Sequence, residues 1–169
     1  KEKGLTLGSV ESFTGGLFAR EITRVPGASK FFKGGLVTYA TEEKINVLGV
    51  SEEIVNRYGV VSEQCALEMA SKGRKLLNVD ICVSFTGNAG PDVMEGKQVG
   101  EVYIGVSIKD RNVVASYLLK GSRQEIQQQG ISLGFELIEK IKLFPKKSIG
   151  NLVSMSIPKS LAKVIISEY

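Results

Sequence analysis

Two periods of apolar residues trade places along this chain, one suited to strands and the other to helices. The apolar run from Leu5 to Val10 reads as a first strand, and the segment from about Thr14 reads as a helix that Pro26 and Gly27 end. Gly34 to Ala40 reads as a second strand. Thr41 then caps a short helix to about Leu48, and Ser51 and Ser62 stand as N-caps of two more. Between Glu63 and Leu77 the residues Ala66, Met69, Ala70, Gly73, Leu76 and Leu77 share one face, the spacing of a helix laid on a sheet. Val79, Ile81, Val83 and Phe85 alternate with Asp80, Cys82 and Ser84 as a strand does, and Val102, Ile104, Val106 and Ile108 repeat that period. A turn at Asp110, Arg111 and Asn112 joins the latter to Val113–Leu119 as a hairpin. From Ser122 to Lys142 a long helix aligns Ile126, Gly130, Leu133, Leu137 and Ile141.

This order, βαβ units followed by a hairpin, predicts an α/β domain with a mixed sheet and helices on both faces. The site then belongs where loops leave the carboxyl ends of strands, after Val10, after Ala40 and after Phe85. Residues 1–144 form the expected single domain, and residues 145–169 an extension in which Pro158 to Ile166 reads as a short amphipathic helix.

Composition narrows the class. With 169 residues, 43% hydrophobic and 24% charged, the chain is an ordinary globule able to bury roughly 70% of its unfolded surface without disulfide staples. Cys65 and Cys82, each in an apolar segment, are expected as buried free thiols, which suits the cytoplasm. No apolar run approaches the ~20 residues of a membrane span, so none is expected. The net charge of +4 carries little information once located: Lys146, Lys147, Lys159 and Lys163 against Glu168 place +3 of it in residues 143–169, leaving +1 for residues 1–142. Nucleic-acid binding through the body of the domain is therefore not expected.

The chain contains no histidine, which excludes Ser-His-Asp and Cys-His catalysis. Ser12 lies in Glu11-Ser12-Phe13-Thr14-Gly15-Gly16, a tight strand-to-helix turn that lifts a hydroxyl, with Thr14 expected to cap the helix and the N–H groups of Gly15 and Gly16 expected to meet an anion. The same residues also suit a strand end and helix cap without chemistry. A serine nucleophile here needs lysine as its base. Lys44, expected as the third residue of its helix, sits near a positive helix end, but the dipole supplies only ~1 kcal/mol, so burial has to supply most of the loss of its proton. Thr86-Gly87-Asn88-Ala89-Gly90-Pro91-Asp92 forms a small-residue loop after a strand, where Thr86 has a hydrogen bond to offer. Arg123, at the start of the long helix, has the reach for a phosphate or carboxylate. Neither paired cysteines nor a close carboxylate array points to a metal, and no cofactor is expected.

Several uncommon blocks occur in order: Val10 to Gly16, Val25-Pro26-Gly27-Ala28-Ser29, Gly34 to Ala40 with Glu43-Lys44, Leu48-Gly49-Val50, Gly59-Val60-Val61-Ser62, and Thr86 to Pro91. Together they resemble the CinA C-terminal domain family. The resemblance implies a three-layer α/β/α sandwich and, as in many members, deamidation of nicotinamide mononucleotide to nicotinic acid mononucleotide and ammonia without a metal. It places Ser12 on the nucleophile, Lys44 on its base and Tyr39 on a supporting tyrosine. Thr14, Gly15, Gly16, Thr86, Gly87, Asn88, Ala89, Gly90 and Arg123 then line a pocket for the pyridine mononucleotide. A homo-oligomer is a further expectation. The chain departs from the family's pattern at Gln127, where a second arginine is usual, and at Asp92 to Glu95 and Gln98. These departures fit an alternative, a non-catalytic nucleotide-binding or competence-linked regulatory module.

Overall fold

A computed structural model describes residues 4–109 and 111–141 and the backbone of residues 165–168. One mixed sheet organises them. β1 (Leu7–Glu11) lies between β2 (Phe32–Val37) and β3 (Ile81–Gly87), parallel to both, and β4 (Glu101–Ile108) and β5 (Arg111–Leu118) continue antiparallel beyond β3. Every residue of β1 and β3 is buried, because these central strands carry helices on both faces, so small or hydrogen-bonded polar residues such as Ser9, Glu11, Ser84 and Thr86 are enclosed with the apolar ones. β2 is an edge strand whose residues alternate between half-buried and exposed.

Helix α1 (Leu17–Thr23), a 3₁₀ turn (Ala28–Lys30) and α2 (Thr41–Asn46) flank β2 in sequence; α3 (Glu52–Tyr58), α4 (Glu63–Leu76) and α5 (Arg123–Lys140) follow. On one face α1 and α5 pack Phe18 between Phe85 and Phe135, with ring centroids 4.9 and 4.4 Å apart. The other face buries Val10, Val61, Cys65, Met69 and Cys82 beneath α4. The architecture is the α/β/α arrangement expected, with both cysteines buried and free. No helix among the described residues is long and apolar enough to cross a membrane.

Element boundaries shift where caps differ from those expected. Ser62 caps α4 through Cys65 N–H, and Ser122 and Glu125 form a reciprocal capping box on α5. Thr41, by contrast, is the first residue of α2, whose N-cap is Ala40, so Lys44 is the fourth helical residue and not the third. Ser51 precedes α3 without a side-chain cap. Ile165–Glu168 forms a strand, β6, antiparallel to β5, where the end of a helix was expected. An exposed β5 edge offers unpaired N–H and C=O groups, and β-branched Ile165 and Ile166 suit the pairing. The remainder of that expected helix, residues 158–164, lies outside the described residues.

Gly105 lets α4 settle on β4: a Cβ there would stand 2.6 Å from Ala66 O and 2.7 Å from Ser84 Oγ, and that hydroxyl donates to the same carbonyl at 2.6 Å. Gly105→Ala is therefore expected to lower the unfolding free energy by about 2 kcal/mol, read from the urea midpoint at unchanged slope.

Candidate active site

Three loops meet at the carboxyl ends of β1, β2 and β3. β1 ends at Glu11, and the next residue, Ser12, is anchored by its N–H to Phe85 O of β3 at 2.9 Å. Beyond β2, Thr38 N–H still reaches Glu11 O at 3.0 Å, after which Tyr39 turns the chain into α2. Lys44 is only 1% exposed and its Nζ donates to Thr38 O at 2.8 Å, Tyr39 O at 3.1 Å and Ser12 Oγ at 3.0 Å. The expected meeting of Ser12 and Lys44 is present in the folded chain.

Burial dominates the charge state of Lys44. Loss of water lowers its pKa from the ordinary 10.5, while Cys65, Glu95 and Glu42 push weakly the other way. Among the described residues it makes no ion pair. Its partners are dipoles, which tolerate both forms of the amine: three N–H groups satisfy three acceptors when it is charged, and when neutral its lone pair remains for the Ser12 proton. Cys65 is no rival nucleophile, since burial pushes its thiol up to about 12 despite Lys44 nearby.

Glu11 carries a role that the sequence reading missed. Only 1% exposed, its carboxylate accepts Thr14 Oγ1 at 2.7 Å and the N–H groups of Gly16, Phe18 and Ala19 at 3.1, 3.1 and 2.9 Å. Glu11 thus caps α1, and two expectations change. Thr14 is not the cap, Gly16 is, in a left-handed conformation at φ 95°. Nor are the N–H groups of Gly15 and Gly16 free, because Gly15 donates to Ser12 O at 3.0 Å. The open donors lie one step earlier: the N–H groups of Phe13 and Thr14 have no acceptor among the described residues. A carboxylate three residues before a Thr-Gly-Gly turn was the available signal for the cap.

The loop after β3 is built differently from expectation. Thr86 and Gly87 belong to the strand; Thr86 Oγ1 donates to Val60 O at 2.6 Å, so its hydroxyl is committed inside the protein. Asn88 is likewise spent, its Nδ2 on Asp92 O and Lys97 O and its Oδ1 on Gly90 N–H. A Cβ at Gly87 would press into Val102, and Ala89 is buried, so these two positions pack the loop. Arg123, first residue of α5, donates to Gly90 O and to the Tyr39 hydroxyl, both at 2.6 Å. It ties the β3 loop to the β2 loop. Gln127, one turn further, donates to Phe13 O at 2.7 Å. Surface depressions of about 450 Å³ beside α3 and α4 and about 500 Å³ around Lys30, Lys33 and Asp80 involve none of these side chains. No group of metal-ligating side chains occurs among the described residues.

The fold and this corner together define a class: an α/β/α domain with a buried lysine on a serine hydroxyl at the strand ends. The CinA C-terminal domain profile matches residues 1–142, and the chain belongs to that family. A Bacillus subtilis (strain 168) relative described as a competence-damage inducible protein is 48% identical over 141 residues, 83% of this chain and 34% of its own length. One from Listeria monocytogenes is 46% identical over 139 residues, 82% of this chain and 34% of its own. The chain thus spans about a third of the length of the curated relatives it matches. Crystal structures of CinA superfamily proteins from Klebsiella pneumoniae and Enterobacter cloacae superpose with TM-scores of 0.81 and 0.79 at 28% and 31% identity. They cover 83% and 82% of this chain and 89% and 83% of those chains.

Replacing the Glu11 carboxylate tests the cap. In Glu11→Gln an amide N–H₂ must face backbone N–H groups, and a stability loss of about 2–4 kcal/mol is expected in chemical denaturation.

Proposed function

We propose that this domain is an amidohydrolase in which Ser12 attacks, and Lys44 activates, deamidating nicotinamide mononucleotide to nicotinic acid mononucleotide and ammonia. The observation that carries this reading is the 3.0 Å contact between the buried Lys44 Nζ and Ser12 Oγ. The substrate comes from the family resemblance, and the competence-damage names of the relatives say nothing of it.

The steps follow from what each atom can do. The neutral amine spends two N–H groups on Thr38 O and Tyr39 O, so its lone pair faces Ser12 and takes the hydroxyl proton as Oγ attacks the carboxamide carbon. Negative charge gathers on the carboxamide oxygen, against the open N–H groups of Phe13 and Thr14 beside the nucleophile. Lys44 returns the proton to the departing nitrogen, ammonia leaves, and an acyl ester remains on Ser12. Water, deprotonated by the same amine, releases the acid and restores the hydroxyl. The guanidinium of Arg123, with N–H groups beyond its two bonds, is the cation offered to the phosphate, and Tyr39 holds it in place. Gly15, with open space where a side chain would stand, and Gly16 leave room at the mouth. The sister reading, a binding or regulatory module without turnover, draws on Gln127 and Asn88 being committed inside the protein. Homo-oligomeric assembly accompanies the proposal as part of the resemblance, and a cytoplasmic location as the compartment that free thiols suit.

Ammonia release from nicotinamide mononucleotide decides between the readings. Ser12→Ala and Lys44→Ala are each expected to lower kcat by at least ~10³-fold; activity surviving both ends the proposal, and tight binding without release in the parent favours the module.

The pH profile is a second check. Since the base must be neutral, kcat/KM is expected to rise with pH and level off above the folded-state pKa of Lys44, which lies below 10.5. Lys44→Arg, which cannot deprotonate, is expected to remain inactive at every pH. Stability carries the same sign: with the folded pKa depressed, the unfolded chain holds the extra proton, so this residue's contribution is lost as pH falls through the folded value and recovered toward 10.5.

A further inference from the structure

We infer that Gln127 is a positioning residue for the oxyanion, acting through the Phe13 peptide; the inference rests on the amidase reading. Gln127 Nε2 donates to Phe13 O at 2.7 Å across 114 residues of sequence. A carbonyl only accepts, so the N–H₂ end of the amide must face it. Three residues along the same side of α5, Gly130 leaves a notch filled by the Phe13 ring, where a Cβ would come within 2.6 Å of Phe13 Cζ. α5 therefore grips Phe13 at two points, its carbonyl and its ring.

The consequence is stereochemical. In a planar trans peptide the C=O and the following N–H point in opposite directions. Holding Phe13 O toward α5 therefore turns the Thr14 N–H away from α5. Lys44 lies near Cys65 of α4, across the sheet from α5, so this is the side on which the base meets Ser12. Ser12 O is pinned in the same manner by Gly15 N–H at 3.0 Å, which sets the Phe13 N–H. Neither N–H has an acceptor among the described residues, and each adjoins the nucleophile. Such a tether has work to do because the loop is pliable: Gly15 and Gly16 sit at φ 59° and 95°, and glycine opposes rotation of neighbouring peptide planes least. Gln127 is half-buried and its amide donates to the Phe13 carbonyl, so its effect on the substrate is assigned to that peptide.

The test compares the parent with Gln127→Leu, which keeps bulk but donates nothing, and Gln127→Glu, following ammonia release from nicotinamide mononucleotide, phosphonylation of Ser12 by a simple fluorophosphonate, and the melting temperature. Gln127→Leu is expected to lower kcat and the phosphonylation rate on the order of 10- to 100-fold at unchanged KM. In Gln127→Glu a carboxylate repels the Phe13 carbonyl whereas a carboxylic acid donates to it, so activity relative to the parent at each pH is expected to recover as pH falls. Equal kcat and phosphonylation in all three proteins overturns the inference and leaves the amidase reading standing. A raised KM at constant kcat also overturns it, because Gln127 would then contact substrate. A parent that phosphonylates but releases no ammonia refutes the substrate, and the phosphonylation rates then decide the role of Gln127. A parent that does neither overturns both.

Discussion

An amine held out of water by two carbonyl oxygens and a hydroxyl is the constraint around which this domain is arranged. An ammonium group so deeply buried without a carboxylate partner is costly, and Lys44 answers by binding its proton less tightly. Its acceptors come from separate places: Thr38 and Tyr39 as the chain leaves β2, Ser12 as it leaves β1. Because β1 and β2 are parallel neighbours in register from Gly8 to Glu11, the two exits lie side by side. α2 then needs only to return the lysine one turn in, and α4 brings Cys65 close to it.

A second buried charge makes that arrangement possible. Glu11 gathers the donors at the start of α1, so the turn between strand and helix needs no external anion. This moves the open donors back to Phe13 and Thr14, next to Ser12. A carboxylate with four hydrogen-bond donors and a lysine with three acceptors thus stand on either side of Ser12, each satisfied by its own partners and neither paired with the other. α5 completes the set from the opposite face, with Arg123 tying the loops beyond β2 and β3 together and Gln127 holding Phe13.

Much of this was legible along the chain. Period-two runs marked β3 and β4, the turn after Ile108 marked β5 as a hairpin partner, and the helical stripes marked α4 and α5, because those elements are buried on defined faces. Ser62 and Ser122 cap as their side chains dictate. Short elements were less legible: α1 begins three residues later than Thr14, and β2 ends at Val37 instead of Ala40, since long-range partners set both boundaries. Thr86 and Asn88 looked free for a ligand because residue type alone does not show which backbone groups the fold brings to their polar atoms. Their acceptors, Val60 O for one and Asp92 O and Lys97 O for the other, are supplied by loop geometry.

By itself the sequence determined the order of strands and helices and the exclusion of imidazole chemistry, since each depends on residue type and local period, while the pairing of Ser12 with Lys44 came from the resemblance to a family. Only the tertiary structure decided which N–H groups stay open, that Glu11 caps α1, that Lys44 rests on two carbonyls, and that Gln127 reaches Phe13. Those are contacts between backbone atoms, which every residue carries alike, and side chains 5 to 114 positions away. Residue identity does not encode which backbone groups remain unpaired until the chain has folded around them.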